Sequence, residues 1–183
     1  TQWLQMHLNN GQFKDTKGDV QTLIEPSTHA ELWQPQTIMP VSWVSKNWDE
    51  TNFNLYGLGW RLNDFHGELR VHHTGSLHGM YSYVSLFPEQ DVGFVVLMNR
   101  AHSDARAAMM YSLIKPYVGE SDIDWVARFK QRREQLVAKD NATFEPPVMA
   151  DVSAEQAAEY LGDYRDPWFG EAYVTYKDGR MQN

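Results

Sequence analysis

Residues 56–100 read YGLGWRLNDFHGELRVHHTGSLHGMYSYVSLFPEQDVGFVVLMNR. Short runs of alternating apolar and polar residues are separated by turn-forming pairs, a period-2 pattern that a helix does not satisfy. Strands are expected over residues 56–62, 68–74, 79–87 and 92–98, with turns at Asn63-Asp64 and His66-Gly67 and at residues 88–91. Connections this short make the sheet antiparallel. In the second strand Leu69, Val71 and His73 share one face, and Arg70 and His72 the other. The fourth run is almost continuously apolar, as expected of a central strand covered on both faces. The second run ends in His73-Thr74-Gly75-Ser76. A glycine just past a buried strand lets another backbone lie close to the edge.

The flanks are more helical. Trp3, Leu4, Met6 and Leu8 fall in helical register before the Asn9-Asn10-Gly11 stop. Residues 42–54 are polar and tryptophan-rich, which suggests a surface loop. Ser103 is a candidate cap for a helix reaching about Tyr117, with Ala107, Met110, Tyr111 and Ile114 as its buried stripe. A second helix starting at Ser121 carries Trp125, Val126, Phe129 and Leu136 on one side, and Lys130, Arg132 and Arg133 as a solvated face. Residues 141–152, with Pro146-Pro147, read as a linker. Ser153 and Gln156 have capping-box spacing, and Asp178-Gly179 marks a tight hairpin. Tyr164, Trp168 and Phe169 are read as the small core of this tail, with a ligand patch as the alternative.

At 183 residues, with 42% hydrophobic and 13% aromatic content, the chain can bury a substantial core. A net charge of −8 argues against nucleic acid and against adhesion to anionic membranes. No apolar run is long enough to span a bilayer. Without cysteine, disulfides, zinc thiolates and cysteine nucleophiles are excluded. His72, His73 and His78 cluster in sequence, but neighbours on a strand point to opposite faces, so no metal is expected. No cofactor is implied.

YGLGW, HHTGSLHGM and VSLFPEQDVGFVVLMNR followed by a helix resemble the C-terminal half of the serine β-lactamase and penicillin-binding-protein fold, with class C β-lactamases and their esterase and peptidase relatives nearest in pattern. The helix at residues 3–8 resembles the one following the family's Tyr-x-Asn element, and residues 160–179 resemble a small β-domain often appended to such hydrolases. The resemblance implies an α+β fold, an antiparallel sheet flanked by helices, plus a truncated small β-domain. The expected division is residues 1–119 for the β-lactamase-like part, 120–152 for a helix and linker, and 153–183 for the accessory β-domain.

In that family a Lys-Thr-Gly or His-x-Gly triplet lines the active site, and His73-Thr74-Gly75 fits the histidine version. The implied chemistry is serine acyl transfer to an amide, ester or β-lactam carbonyl. His73 and Thr74 become the candidate catalytic residues, holding a substrate carboxylate or assisting proton transfer. Gly75 and Ser76 become the substrate and oxyanion wall, with the Ser76 N–H as one donor. Taken alone, His73 is equally compatible with a core histidine.

Ser-x-x-Lys and Tyr-x-Asn are absent at matching positions. Ser112-Leu-Ile-Lys115 satisfies the first formally, but it falls late in a helix, where the N–H is bonded and the dipole disfavours an anion. Ser45-Lys46-Asn47 follows the helix that it should precede. The chain therefore reads as a fragment without its nucleophile, inactive alone. Its expected partners are a small-molecule or peptide substrate and the missing N-terminal half of the same protein, with self-association through an uncovered apolar face. A periplasmic or secreted location follows from the resemblance. The competing reading is a non-catalytic binding module related to penicillin-binding proteins.

Overall fold

A computed structural model describes residues 1–118, 120, 122–143 and 153–182. They form two compact units, Thr1–Lys139 and Asp140–Asn183.

The first unit opens with α1 (Gln2–Leu8), capped by the Thr1 hydroxyl, which accepts from the Leu4 N–H at 3.4 Å. A small hairpin of β1 (Gln12–Lys14) and β2 (Val20–Thr22) and the helix α2 (Pro26–Leu32) follow. Then come β3 (Thr37–Ile38), α3 (Trp43–Trp48), β4 (Asn54–Tyr56), β5 (Arg61–Phe65), β6 (Glu68–Leu77), β7 (Met80–Phe87) and β8 (Val92–Met98). Strands β3 to β8 make one six-stranded sheet in sequence order, every adjacent pair antiparallel. Two helices close the unit: α4 (Ser103–Ile114) and α5 (Trp125–Thr143).

Strand β8, expected to be central and covered on both faces, lies at the edge with Val95 and Leu97 exposed, but both faces of the sheet carry packed side chains. On one, Leu4 of α1 packs with Trp60, Leu62, Val71 and Leu86, and Leu32 and Trp33 join them. On the other, Phe65, Tyr83, Phe87 and Val96 meet Met110 and Ile114 of α4. Trp48, Ala108, Tyr111, Trp125 and Phe129 form a third cluster where α3, α4 and α5 meet. Each large side chain so buried contributes about 1.5–3 kcal/mol.

Several local expectations are corrected. The strand expected over residues 56–62 is two strands, because the chain reverses at Gly57 to Trp60, where the Gly57 N–H donates to the Trp60 carbonyl at 2.7 Å. Asn63 and Asp64 lie inside β5; the turn is His66-Gly67, both left-handed at φ 50° and 86°. Residues 42–54 are no surface loop. Ser42 caps α3, Trp48 is buried, and Asp49 and Thr51 are sealed inside. His102, not Ser103, caps α4, its Nδ1 accepting from the Ala105 N–H at 3.1 Å.

Trp125 and Phe129 are buried, yet Val126 and Leu136 on the same expected stripe are exposed. Asp124 supplies the α5 cap through its Oδ1, which accepts from the Ala127 N–H at 2.9 Å; Ser121, the expected start of this helix, lies outside the described residues. The burial of Trp125 and Phe129 ties the start of α5 into the first unit. Of the expected linker, residues 141–143 belong to α5, and the remainder, with both prolines, lies outside the described residues.

The second unit holds α6 (Ala154–Ala157) and a three-stranded sheet of β9 (Gly162–Asp166), β10 (Gly170–Lys177) and β11 (Arg180–Gln182). Both bonds of the Ser153/Gln156 capping box form, at 3.1 and 3.2 Å. Asp178 and Gly179 turn the hairpin at φ 52° and 74°. Trp168 and Phe169 are not core: they are 92% and 93% exposed, in a turn whose N–H groups donate to Asp166 Oδ1. Tyr164 is half exposed and lines an apolar groove with Ala172, Val174 and Met181.

Candidate active-site wall

Strand β6 outruns its neighbour. The β5–β6 ladder stops at Arg61 opposite His72, whereas β6–β7 pairing continues to Leu77 opposite Met80. Among the described residues, residues 73–77 therefore pair on one side only, and their other side offers unpaired backbone N–H and C=O groups. Gly75 sits within the strand, opposite Ser82, and not just past its end as the sequence suggested. A Cβ at Gly75 would stand 2.4 Å from Ser82 Oγ. The glycine thus makes room for a hydroxyl of this protein.

Alternation sends His73 and Thr74 to opposite faces. His73 Nε2 lies 3.1 Å from the Tyr56 hydroxyl. Burial, reinforced by nearby Arg61, lowers the His73 pKa, so the ring is neutral at pH 7. Thr74 borders a cavity of about 330 Å³ on the α4 face, together with His72, Tyr83 and several arginines. His72 is buried, and desolvation aided by Arg70 and Arg61 holds it well below the usual histidine range.

Gly75 and Ser76 are joined by a residue that sequence reasoning missed. Arg106 of α4 donates from Nη1 to the Gly75 carbonyl at 2.8 Å and to Ser76 Oγ at 3.2 Å, with its guanidinium 4.9 Å from the Tyr81 ring centroid. The signal was present: Arg106 lies four residues before Met110 and eight before Ile114, on the buried stripe of its own helix. A cation in an apolar register needs a reason. Beside it, Gly75, Ser76, Leu77, Met80, Tyr81 and Leu97 border a second cavity of about 590 Å³.

The formal Ser-x-x-Lys pair is structural. Ser112 donates to the Ala108 carbonyl at 2.9 Å, two residues before α4 ends. Lys115 is fully buried, 3.3 Å from Asp49 Oδ1 and 3.0 Å from Glu120 Oε2, and it also donates to the Trp48 carbonyl. Ser45 shares a 2.8 Å hydrogen bond with Ser42 at the start of α3. Among the described residues no three His, Asp or Glu side chains are grouped to hold a metal, and no helix is long and apolar enough to cross a membrane.

A sequence model of the Beta-lactamase family matches residues 17–118, which contain the whole six-stranded sheet and α4. The chain belongs to the Beta-lactamase family. In three dimensions it is similar to the octameric penicillin-binding protein homologue from Pyrococcus abyssi, with a TM-score of 0.50 and 20% identity. That match covers 70% of this chain and 26% of the other, so the chain spans about a quarter of that neighbour's length. At this identity the likeness shows the fold alone. No curated protein matches the chain. Membership places the chain among serine hydrolase-like proteins, with an α+β architecture of antiparallel sheet flanked by helices.

Proposed function

We propose that this chain supplies the strand wall of a serine acyl-transfer site, with the nucleophile contributed by residues outside it. The observation that carries the reading is the one-sided pairing of residues 73–77. An extended substrate can add its backbone to such an edge. The Ser76 N–H is the strand's candidate oxyanion donor, and Gly75, packed against Ser82 Oγ, continues the wall beside it. Arg106 holds the Gly75 carbonyl and the Ser76 hydroxyl from behind, fixing the wall before substrate arrives.

His73 differs from a lysine at the same position. A neutral imidazole hydrogen-bonded to Tyr56 carries no fixed charge, so it moves a proton or positions a donor. Thr74 offers a hydroxyl to a carboxylate or amide. The substrate class is an amide, an ester or a β-lactam, and the location is periplasmic or secreted. The outer edge of β8 has no strand partner among the described residues, and Leu97 there is 76% exposed; this surface suits the rest of the fold or a second copy.

The test is the native gene product with the residues preceding Thr1. A Ser-x-x-Lys in that segment, and acylation of its serine by a fluorescent penicillin or an activated ester, is the expected result. His73→Ala and Thr74→Val should each lower kcat about 10²-fold or more with the circular dichroism unchanged. Absence of Ser-x-x-Lys, or wild-type rates in both variants, overturns the reading.

A further inference from the structure

The α4 face of the sheet gathers positive charge in a chain whose net charge is −8. Arg61 of β5, Arg70 of β6, Arg106 of α4 and Arg132 of α5 all border the 330 Å³ cavity, as do His72 and Thr74. One carboxylate borders it, Asp104, and that group is engaged by Arg133 at 3.2 Å. Arg132, expected on a solvated face, instead lies 5.7 Å over the Trp43 ring at the cavity wall.

The donors here are under-used. Arg70 is 3% exposed; its Nε donates to Asn63 Oδ1 at 3.0 Å and its Nη2 faces Asp49 at 3.7 Å, but its Nη1 is buried without a hydrogen-bond partner. His72 is 8% exposed, and its Nδ1, a donor or an acceptor according to the tautomer, also lacks a partner. Arg61 Nε and Arg106 Nε are in the same state. A buried guanidinium N–H without an acceptor is costly, and three such atoms, on Arg61, Arg70 and Arg106, belong to side chains that border one space. Like charges also repel more strongly in low dielectric than in water. One acceptor-rich anion in the cavity relieves both effects.

We infer that this cavity binds a small oxyanion with several acceptor oxygens, an inorganic phosphate-type ion or an organic polycarboxylate, held by the guanidinium groups of Arg61, Arg70 and Arg132 with Thr74 at its rim. Its size is at the low end of ligand pockets, which excludes a nucleotide or an oligosaccharide. Planar guanidinium forks match carboxylate and phosphate oxygens in pairs. The inference shares Thr74 with the acyl-transfer reading but rests on Arg61, Arg70 and Arg132, and its test reads anion binding rather than acyl transfer.

Thermal unfolding of the full 183-residue chain tests it, in sodium phosphate, sodium citrate and sodium chloride at matched ionic strength, with isothermal titration calorimetry of phosphate and citrate. The expected result is a saturable rise in Tm with phosphate or citrate beyond that in chloride; the larger response identifies the inorganic or the organic source. Arg132→Gln, half-buried and tolerant of change, should weaken the apparent affinity at least tenfold, and Arg61→Gln should do the same. Lys130→Gln, whose side chain is 76% exposed and pairs with Glu134 away from the cavity, should bind as the wild type does. No saturable response to either anion overturns the site, as does an equal loss in Lys130→Gln, which would mark general surface charge.

Discussion

The Tyr111 hydroxyl donates a 2.6 Å hydrogen bond to Asp49 Oδ2, linking α4 to the end of α3 inside the core. The same carboxylate faces Lys115 at 3.3 Å and Arg70 at 3.7 Å, and Asp49 and Lys115 are both fully buried. Burial opposes the Arg70 charge, but Tyr83, Asp49 and Tyr111 hold it above the ordinary arginine pKa, and burial together with Asp49 holds Tyr111 well above the ordinary tyrosine value. Asp49→Ala strips two buried cations of their shared counter-ion, and a buried pair broken from one side costs about 3–5 kcal/mol. Urea unfolding at pH 7 should show that loss. A decrease below about 1 kcal/mol would show that Glu120 alone neutralises Lys115.

A second buried pair makes the fold acid-sensitive. His7 Nδ1 lies 3.1 Å from His29 Nε2, among Trp3, Trp33 and Trp60. Burial, with His29 adding repulsion, lowers His7 to about 4, and burial lowers His29 as well. The folded state therefore holds these rings neutral while the unfolded chain protonates them near pH 6.5. Their contribution is complete above that value and is lost as pH falls through 6.5 toward 4, by about 3 kcal/mol for His7 at the limit. Thermal midpoints at pH 7.5 and 5.0 should fall steeply for the wild type and less steeply for His7→Gln. Parallel profiles for the two proteins would remove the pair from the account.

Gly75 and Ser82 form a steric pair that a double-mutant cycle can isolate. Gly75→Ala places a methyl 2.4 Å from Ser82 Oγ, whereas Ser82 Cβ is 3.7 Å away, an ordinary contact. Overpacking of this kind costs about 1–3 kcal/mol. The alanine should destabilise the chain alone and be largely tolerated with Ser82→Ala, giving a clear coupling energy in urea titrations. Additive effects would mean that the strand shifts to accommodate the methyl.

Much of the sheet was legible because its residues alternate and its turns use His66-Gly67 and the Pro88 loop, signals that act over a few residues. Leu69 and Val71 went to one face and Arg70 and His72 to the other, as read. What sequence could not show was that the second face is equally buried: the Asp49, Arg70 and Tyr111 network joins segments far apart in the chain, and local periodicity carries no trace of it. Residues 42–54 looked like a loop because a short helix with Asp49 and Thr51 buried beyond it has the composition of one. Gly75 was legible as a close approach, but the group approaching it is Ser82, set by strand register. Trp168 and Phe169 misled through size alone, since aromatic bulk in a turn need not find a core.

The isolated chain is expected to be chemically silent toward acylating probes. Its formal Ser-x-x-Lys fails on geometry: Ser112 donates to the Ala108 carbonyl, and Lys115 is committed to Asp49, Glu120 and the Trp48 carbonyl. A lysine so placed cannot take a proton from Ser112 without breaking the ion network. In a comparable acyl-transfer enzyme, loss of the nucleophile or its base lowers turnover about 10⁶-fold, and binding alone does not recover it. Incubation with a fluorescent penicillin, followed by denaturing electrophoresis and peptide mapping, should give no labelled band. Ser112→Ala should be indistinguishable from the wild type. A band that disappears in Ser112→Ala would mean that α4 opens at its C-terminal end in solution and that the nucleophile resides in this chain.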